Sequence, residues 1–223
     1  MSEKLQRHDF VELDYTGKVA DGAIFDTTNE QVAHQSNLPH HHGSLHSPIV
    51  CIGQRQVLPG LDQDLEGKEV GREYTVVLQP EQAFGKRDVK NLRIIPMGIF
   101  KEHKVQPQPG LQVDVDDERG IVTSIAGGRV VVNFNHPLAG KEITYNYTIK
   151  RKITDTSEKI KSFLSSMIGQ PQDNIAVALH AGNTVVTLPV QLPQQFTDML
   201  GKKLTEINVV NSVEFVVKEG VKK

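Results

Sequence analysis

The sequence predicts an α+β chain: a curved antiparallel sheet around one short helix, a mostly β insertion, and a small α+β C-terminal domain. Three observations predict it. Val11, Leu13 and Tyr15 alternate with Glu12, Asp14 and Thr16, the period of a strand with one buried face. Leu61 and Leu65 are spaced i, i+4 between Pro59-Gly60 and Gly67. Ile160, Phe163, Leu164, Met167 and Ile168 share one helical face.

The elements follow in order. Ala20-Asp21-Gly22 is a turn, and Ala23-Ile24-Phe25-Asp26 returns as the next strand. Residues 27–48 are polar and His-rich and are expected to form a long loop or bulge. Residues 49–52 form a short buried strand, and Leu58-Pro59-Gly60 leads into the short helix. Residues 73–78 are a strand, followed by a loop through Phe84 and Gly85. One helix against a strongly curved antiparallel sheet is the simplest way to bury these faces.

After Arg87 the pattern changes. Residues 121–125 and 130–134 flank Ala126-Gly127-Gly128-Arg129, a hairpin signal, and Leu111, Val113 and Val115 alternate before it. His136-Pro137-Leu138-Ala139-Gly140-Lys141 turns the chain into a strand over 143–150. The 47 residues from 88 to 134 are too many for a structureless loop. In the C-terminal segment Asp155 caps a helix, with Glu158 completing a capping box, and Gly169 and Pro171 stop it. Ile175, Val177 and Leu179 alternate, Gly182-Asn183 turns, and residues 184–188 return. Pro193 starts a short helix that Gly201 ends, and Val213, Phe215 and Val217 form the last strand.

Composition narrows the function. The 223 residues carry a formal charge of −2, without the basic footprint of a nucleic-acid binder. No apolar run is long enough to span a membrane, and the N-terminus lacks the apolar core of a signal peptide, so a cytoplasmic protein is expected. The single cysteine, Cys51, lies in the apolar run Ile49-Val50-Cys51-Ile52 and is expected to be inert core.

Two stretches carry a family resemblance: residues 11–27, with Tyr15, Gly17, Gly22, Phe25 and Asp26, and Val57-Leu58-Pro59-Gly60-Leu61 through Gly71. Together they resemble FKBP-type peptidyl-prolyl cis–trans isomerases. The extra residues before His136-Pro137-Leu138-Ala139-Gly140 resemble the SlyD-like, long type, whose insert-in-flap domain lies at this point. The resemblance implies an FKBP half-barrel over 1–87 and 135–153, an insert-in-flap chaperone domain over 88–134, and a C-terminal domain of unmatched role over 154–223. It implies an enzyme that needs no cofactor and acts on unfolded or nascent polypeptides with Xaa-Pro bonds, with macrolides as inhibitors. The C-terminal domain is an expected homodimer surface.

An amide rotates over a resonance barrier of roughly 18–20 kcal/mol. At the twisted state the carbonyl is less dipolar, so an apolar cradle that strips its water favours rotation. The family's cradle positions match Tyr15, Phe25, Asp26, Val57, Leu58, Leu61, Phe84 and Tyr145, with Ile49 near another. By spacing alone Phe25, Val57, Leu58 and Tyr145 read as core, and the resemblance reverses that reading; Asp26 reads equally well as a turn residue. Leu61 stands where many relatives have Trp, and Phe84 where the family usually has Tyr. Loss of that hydroxyl weakens macrolides more than proline. In the insert Leu92, Ile94, Ile95, Met97, Ile99 and Phe100 form an unusually apolar stretch. It reads either as local core or as a groove for unfolded chains. His34, His40, His41, His42 and His46 could hold a metal, yet they lack structural-zinc spacing. A catalytically weak holdase and a metal-handling protein built on this loop are the competing readings.

Overall fold

The structure is a computed structural model that describes residues 4–38, 46–180 and 183–218. By contact the chain divides into two compact units, Met1–Val77 with Thr144–Lys223, and Leu78–Ile143.

The first unit holds a curled antiparallel half-barrel of five strands. Strands β1 (Phe10–Val19), β2 (Ile24–Thr27) and β3 (Ile49–Cys51) precede helix α2 (Pro59–Leu65), β4 (Glu73–Leu78) and β9 (Ile143–Ile153). The sheet order is β2-β1-β9-β4, with β3 also on β1. The strands stand where the sequence placed them, and burial alternates along β9: Ile143, Tyr145, Tyr147 and Ile149 point inward. Pro59 opens α2, where a missing N–H costs nothing, and Leu61 and Leu65 face inward.

Residues 27–48 are not all loop. Asn29 caps a short helix, α1 (Glu30–Gln35), by accepting the N–H groups of Gln31 at 3.0 Å and Val32 at 3.1 Å. Only Ala33 of this helix is buried, so no apolar period announced it.

The C-terminal segment begins with α4 (Thr156–Ile168), capped by Asp155, whose side chain accepts the Glu158 N–H at 2.7 Å. The Glu158 carboxylate, expected to close a capping box, is bound to Arg151. Strands β10 (Ala176–His180), β11 (Asn183–Leu188) and β12 (Val213–Val217) form a second sheet in that order, β12 running parallel to β11. Helix α5 (Gln194–Glu206) runs through Gly201, which was expected to end it. A Cβ on Gly201 would lie 3.1 Å from Val213 Cγ1, so the glycine admits β12 close to the helix. The core of this segment is continuous with the half-barrel: Phe10 and Cys51 cluster with Ile160, Phe163, Leu164, Leu200 and Leu204. Burial pushes the Cys51 thiol up to about 12, as inert core requires.

The second unit carries β5 (Leu92–Pro96), α3 (Met97–Glu102), β6 (Gln112–Val115), β7 (Glu118–Ala126) and β8 (Arg129–Asn133) in a sheet ordered β5-β8-β7-β6. Gly127 and Gly128 take φ of 56° and 74°, the paired positive values of a tight hairpin turn. The chain entering β5 and the chain leaving β8 are pinned together. Asn135 accepts the Asp88 N–H at 2.8 Å and donates to the Asp88 carbonyl at 2.9 Å.

Candidate active site

The pairing of β1 with β2 builds the site. Gly17 pairs with Asp26 and Lys18 with Ile24, so Phe25 is the extra residue of a bulge. Gly17 makes room for it: a Cβ there would lie 2.6 Å from Phe25 Cζ and 3.0 Å from Tyr145 Cε1. The rings of Tyr15 and Phe25 both meet Tyr145 edge-to-face, at centroid distances of 5.5 and 5.8 Å. Tyr145 is buried, while Tyr15, Phe25 and Asp26 are half-buried.

The one charge in this corner is engaged. Asp26 hydrogen-bonds the Tyr15 hydroxyl and the Thr27 N–H; burial raises its pKa, and these two bonds oppose the rise. The Tyr15 pKa is raised by burial and then by the Asp26 charge. Tyr145 is raised by burial first and by Asp26 second. The two tyrosines stay neutral through the ordinary pH range, and with Tyr15 bonded to Asp26 the rings offer mostly apolar surface.

Leu61 is buried on α2, and Val57 and Leu58 are half-buried in the loop before it. The Leu58 carbonyl accepts the Asp62 N–H at 2.9 Å. Buried Asp62 accepts the N–H groups of Gly53 at 2.8 Å and Arg55 at 2.9 Å, fixing the loop. Sequence reasoning passed over Asp62, which looks like an ordinary solvated helix residue. It also missed Asp64, which accepts the Tyr147 hydroxyl at 2.6 Å. Ile49 packs against the C-terminal core. Phe84 belongs to the second unit, where it stacks on His136 at 4.5 Å and 4° between planes.

The apolar stretch of the insert divides in two. Ile95 and Phe100 are buried with Val122, Val130 and Val132, and Met97 packs on them. Leu92, Ile94 and Ile99 are exposed, Ile94 at 62%. Ile94, Ile95, Ile99 and Phe100, with Val105, Leu111 and Val113, line a groove of about 740 Å³. On β5 strand alternation separates exposed Ile94 from buried Ile95, and on α3 Phe100 turns inward while Ile99 stays exposed.

His40, His41 and His42 lie outside the described residues, among which no group of three or more His, Cys, Asp or Glu is placed to hold a metal. No described helix is long and apolar enough to cross a membrane.

The family model for FKBP-type peptidyl-prolyl cis-trans isomerase matches residues 1–99, and one described as FKBP26, IF domain, matches residues 93–138. The short-type peptidyl-prolyl cis-trans isomerase of Methanocaldococcus jannaschii is 28% identical over 150 residues, covering 67% of this chain and 95% of its own length. The FKBP-type isomerase SlyD of Aeromonas hydrophila is 31% identical over 153 residues, 67% of this chain and 65% of the relative. A probable FKBP-type 16 kDa isomerase of Pseudomonas fluorescens is 34% identical over 103 residues, 44% of this chain and 67% of the relative. The chain belongs to the FKBP-type peptidyl-prolyl cis–trans isomerase family, with relatives among the long SlyD type. The family's reaction is rotation about Xaa-Pro bonds in polypeptides.

Proposed function

We propose that the corner formed by Tyr15, Phe25, Asp26 and Tyr145 is the place where this chain holds the proline ring and twists the preceding amide, with Val57, Leu58 and Leu61 as further apolar wall. The edge-to-face contacts of Tyr15 and Phe25 with Tyr145 carry this reading. They set two half-buried rings against a buried one, an apolar corner that can strip water from an amide laid on it. A carbonyl losing resonance loses dipole, so it gives up less solvation than the planar ground state when it enters such a place. Asp26 binds the Tyr15 hydroxyl and so orients the ring.

The insert supplies a second activity in this proposal. Its groove, with exposed Ile94, Ile99 and Val105, offers adaptable apolar surface to unfolded or nascent chains. Residues 88–134 then act as a chaperone domain tied to an isomerase domain of 1–87 and 135–153, and capture raises the effective concentration of Xaa-Pro bonds at the cradle. The same cradle takes macrolides. The C-terminal segment, 154–223, is the surface for a second copy; its sheet ends in β10 and β12, and Leu179 on β10 is half exposed. The composition and the nature of the relatives support a cytoplasmic setting.

A protease-free assay on an Xaa-Pro tetrapeptide tests the cradle. Phe25→Ala, checked for folding by circular dichroism, should lose activity by about 100-fold or more, the scale of roughly 3 kcal/mol of transition-state stabilisation. A folded Phe25→Ala protein with full activity refutes the assignment.

A further inference from the structure

The loop that carries Val57 and Leu58 is held from two directions. Asp62 holds residues 53 and 55 from within α2. Gln56 reaches outward. Its Oε1 accepts the Cys51 N–H at 2.7 Å, and its Nε2 donates to Ser166 Oγ on α4. The Ser166 hydroxyl donates onward to the Phe163 carbonyl at 2.9 Å. Every atom in this relay has one role. An amide turned the other way would set an NH2 group against the Cys51 N–H, so the orientation is determined. A weaker second link runs from Lys203 on α5 to Gln54 Oε1 at 3.5 Å. Beneath these bonds Cys51 shares a core with Phe163, Leu164 and Leu204 of the same two helices.

We infer that helix α4 is a positioning element for the isomerase cradle, and that Gln56 and Ser166 are the positioning residues through which it acts. The inference rests on the reading of Val57 and Leu58 as cradle wall. Gln56 directly precedes that wall, and its side chain ties its own backbone to Cys51 on one side and to α4 on the other. Without the tie the wall is free to sample positions away from the proline ring. A cradle that discriminates a twisted from a planar amide loses rate when its wall is displaced, even where it still binds substrate. The C-terminal segment, which lies beyond residues 1–99 and 93–138 of the two family matches, thereby gains a role in the reaction.

The test uses the full chain and tetrapeptide kinetics. Ser166→Ala removes the far end of the relay on an exposed helix face, at a position where alanine suits the helix. It should lower kcat by about fivefold with KM little changed and the thermal midpoint unchanged. Ser166→Thr, which keeps the hydroxyl, should retain wild-type kcat. Gln56→Met should show the same kcat loss, and the double variant Gln56→Met/Ser166→Ala no further loss, because both break one relay. Phe25→Ala in the same assay separates the two readings. If Phe25→Ala abolishes activity and Ser166→Ala does not lower kcat, the positioning role is overturned and the cradle stands. If the losses at Gln56 and Ser166 multiply, or Ser166→Thr fails as Ser166→Ala does, the relay is overturned. If Phe25→Ala is folded and active, both readings fall.

Discussion

The aromatic corner of the half-barrel and the groove of the insert are both apolar, yet they are built in opposite ways. In the corner Tyr145 is 4% exposed, and a bulge, a glycine and a carboxylate fix the rings around it. In the insert Ile94 stands 62% and Ile99 44% exposed, both aliphatic. Lowering a rotation barrier requires fixed geometry, because a displaced wall stabilises planar and twisted amides alike. Holding chains of varied sequence requires the reverse, an apolar surface that adapts and reads no particular side chain. The contrast supports the proposal of chemistry in one region and capture in the other.

The largest effect that sharpens the contrast is Tyr145→Ala. It removes a buried ring and should cost about 3–5 kcal/mol of stability in denaturant unfolding, with isomerase activity lost. Next comes Gly17→Ala. The added Cβ collides with the Phe25 ring, so about 1–3 kcal/mol of stability and most of the activity should go. An active and fully stable Gly17→Ala protein would mean that the ring need not sit there.

A pH titration separates the regions more gently. All four tyrosines, Tyr15, Tyr74, Tyr145 and Tyr147, lie in the first unit. Three of them, Tyr15, Tyr145 and Tyr147, have raised pKa values, in each case chiefly through burial. Folded, they stay neutral; unfolded, they ionise from the ordinary value of 10.0. Their contribution is therefore complete below that value and falls as pH rises above it, since the unfolded chain then binds fewer protons. The tyrosinate absorbance of these three should lag until the half-barrel unfolds, with no such dependence arising in the insert. Ionisation of Tyr15, Tyr145 and Tyr147 near pH 10 with the fold intact would contradict the burial of the corner. The smallest stability effect belongs to the groove: Ile94→Ser and Ile99→Ser should each stay within about 0.5 kcal/mol in denaturant unfolding, because both side chains are exposed.

How much of this was written in the sequence depends on the range of the interactions. Local periodicity announced β1, α2, α4 and the Gly127-Gly128 hairpin, because alternation, a capping Asp155 and paired glycines act within a few residues. The short helix α1 was hidden, since six residues with one buried alanine give no period. Gly201 looked like a helix stop because its partner Val213 is remote in sequence. The cradle residues were named through family resemblance, and spacing alone could not have told Phe25 from core. Asp62, Gln56 and Ser166 carried no local signal; each matters only through a backbone or side-chain partner elsewhere in the fold. The groove residues were named as one set, and alternation along β5 then divided Ile94 from Ile95.

The central claim, chemistry in one region and capture in the other, is tested most directly by one ratio. The full-length double variant Ile94→Ser/Ile99→Ser would be assayed on an Xaa-Pro tetrapeptide and on the proline-limited refolding of an unfolded protein. The account predicts a tetrapeptide rate close to wild type and a refolding rate at least tenfold lower, since tethering commonly contributes on the order of 10²–10⁴ in effective concentration. Equal losses on the two substrates would contradict it.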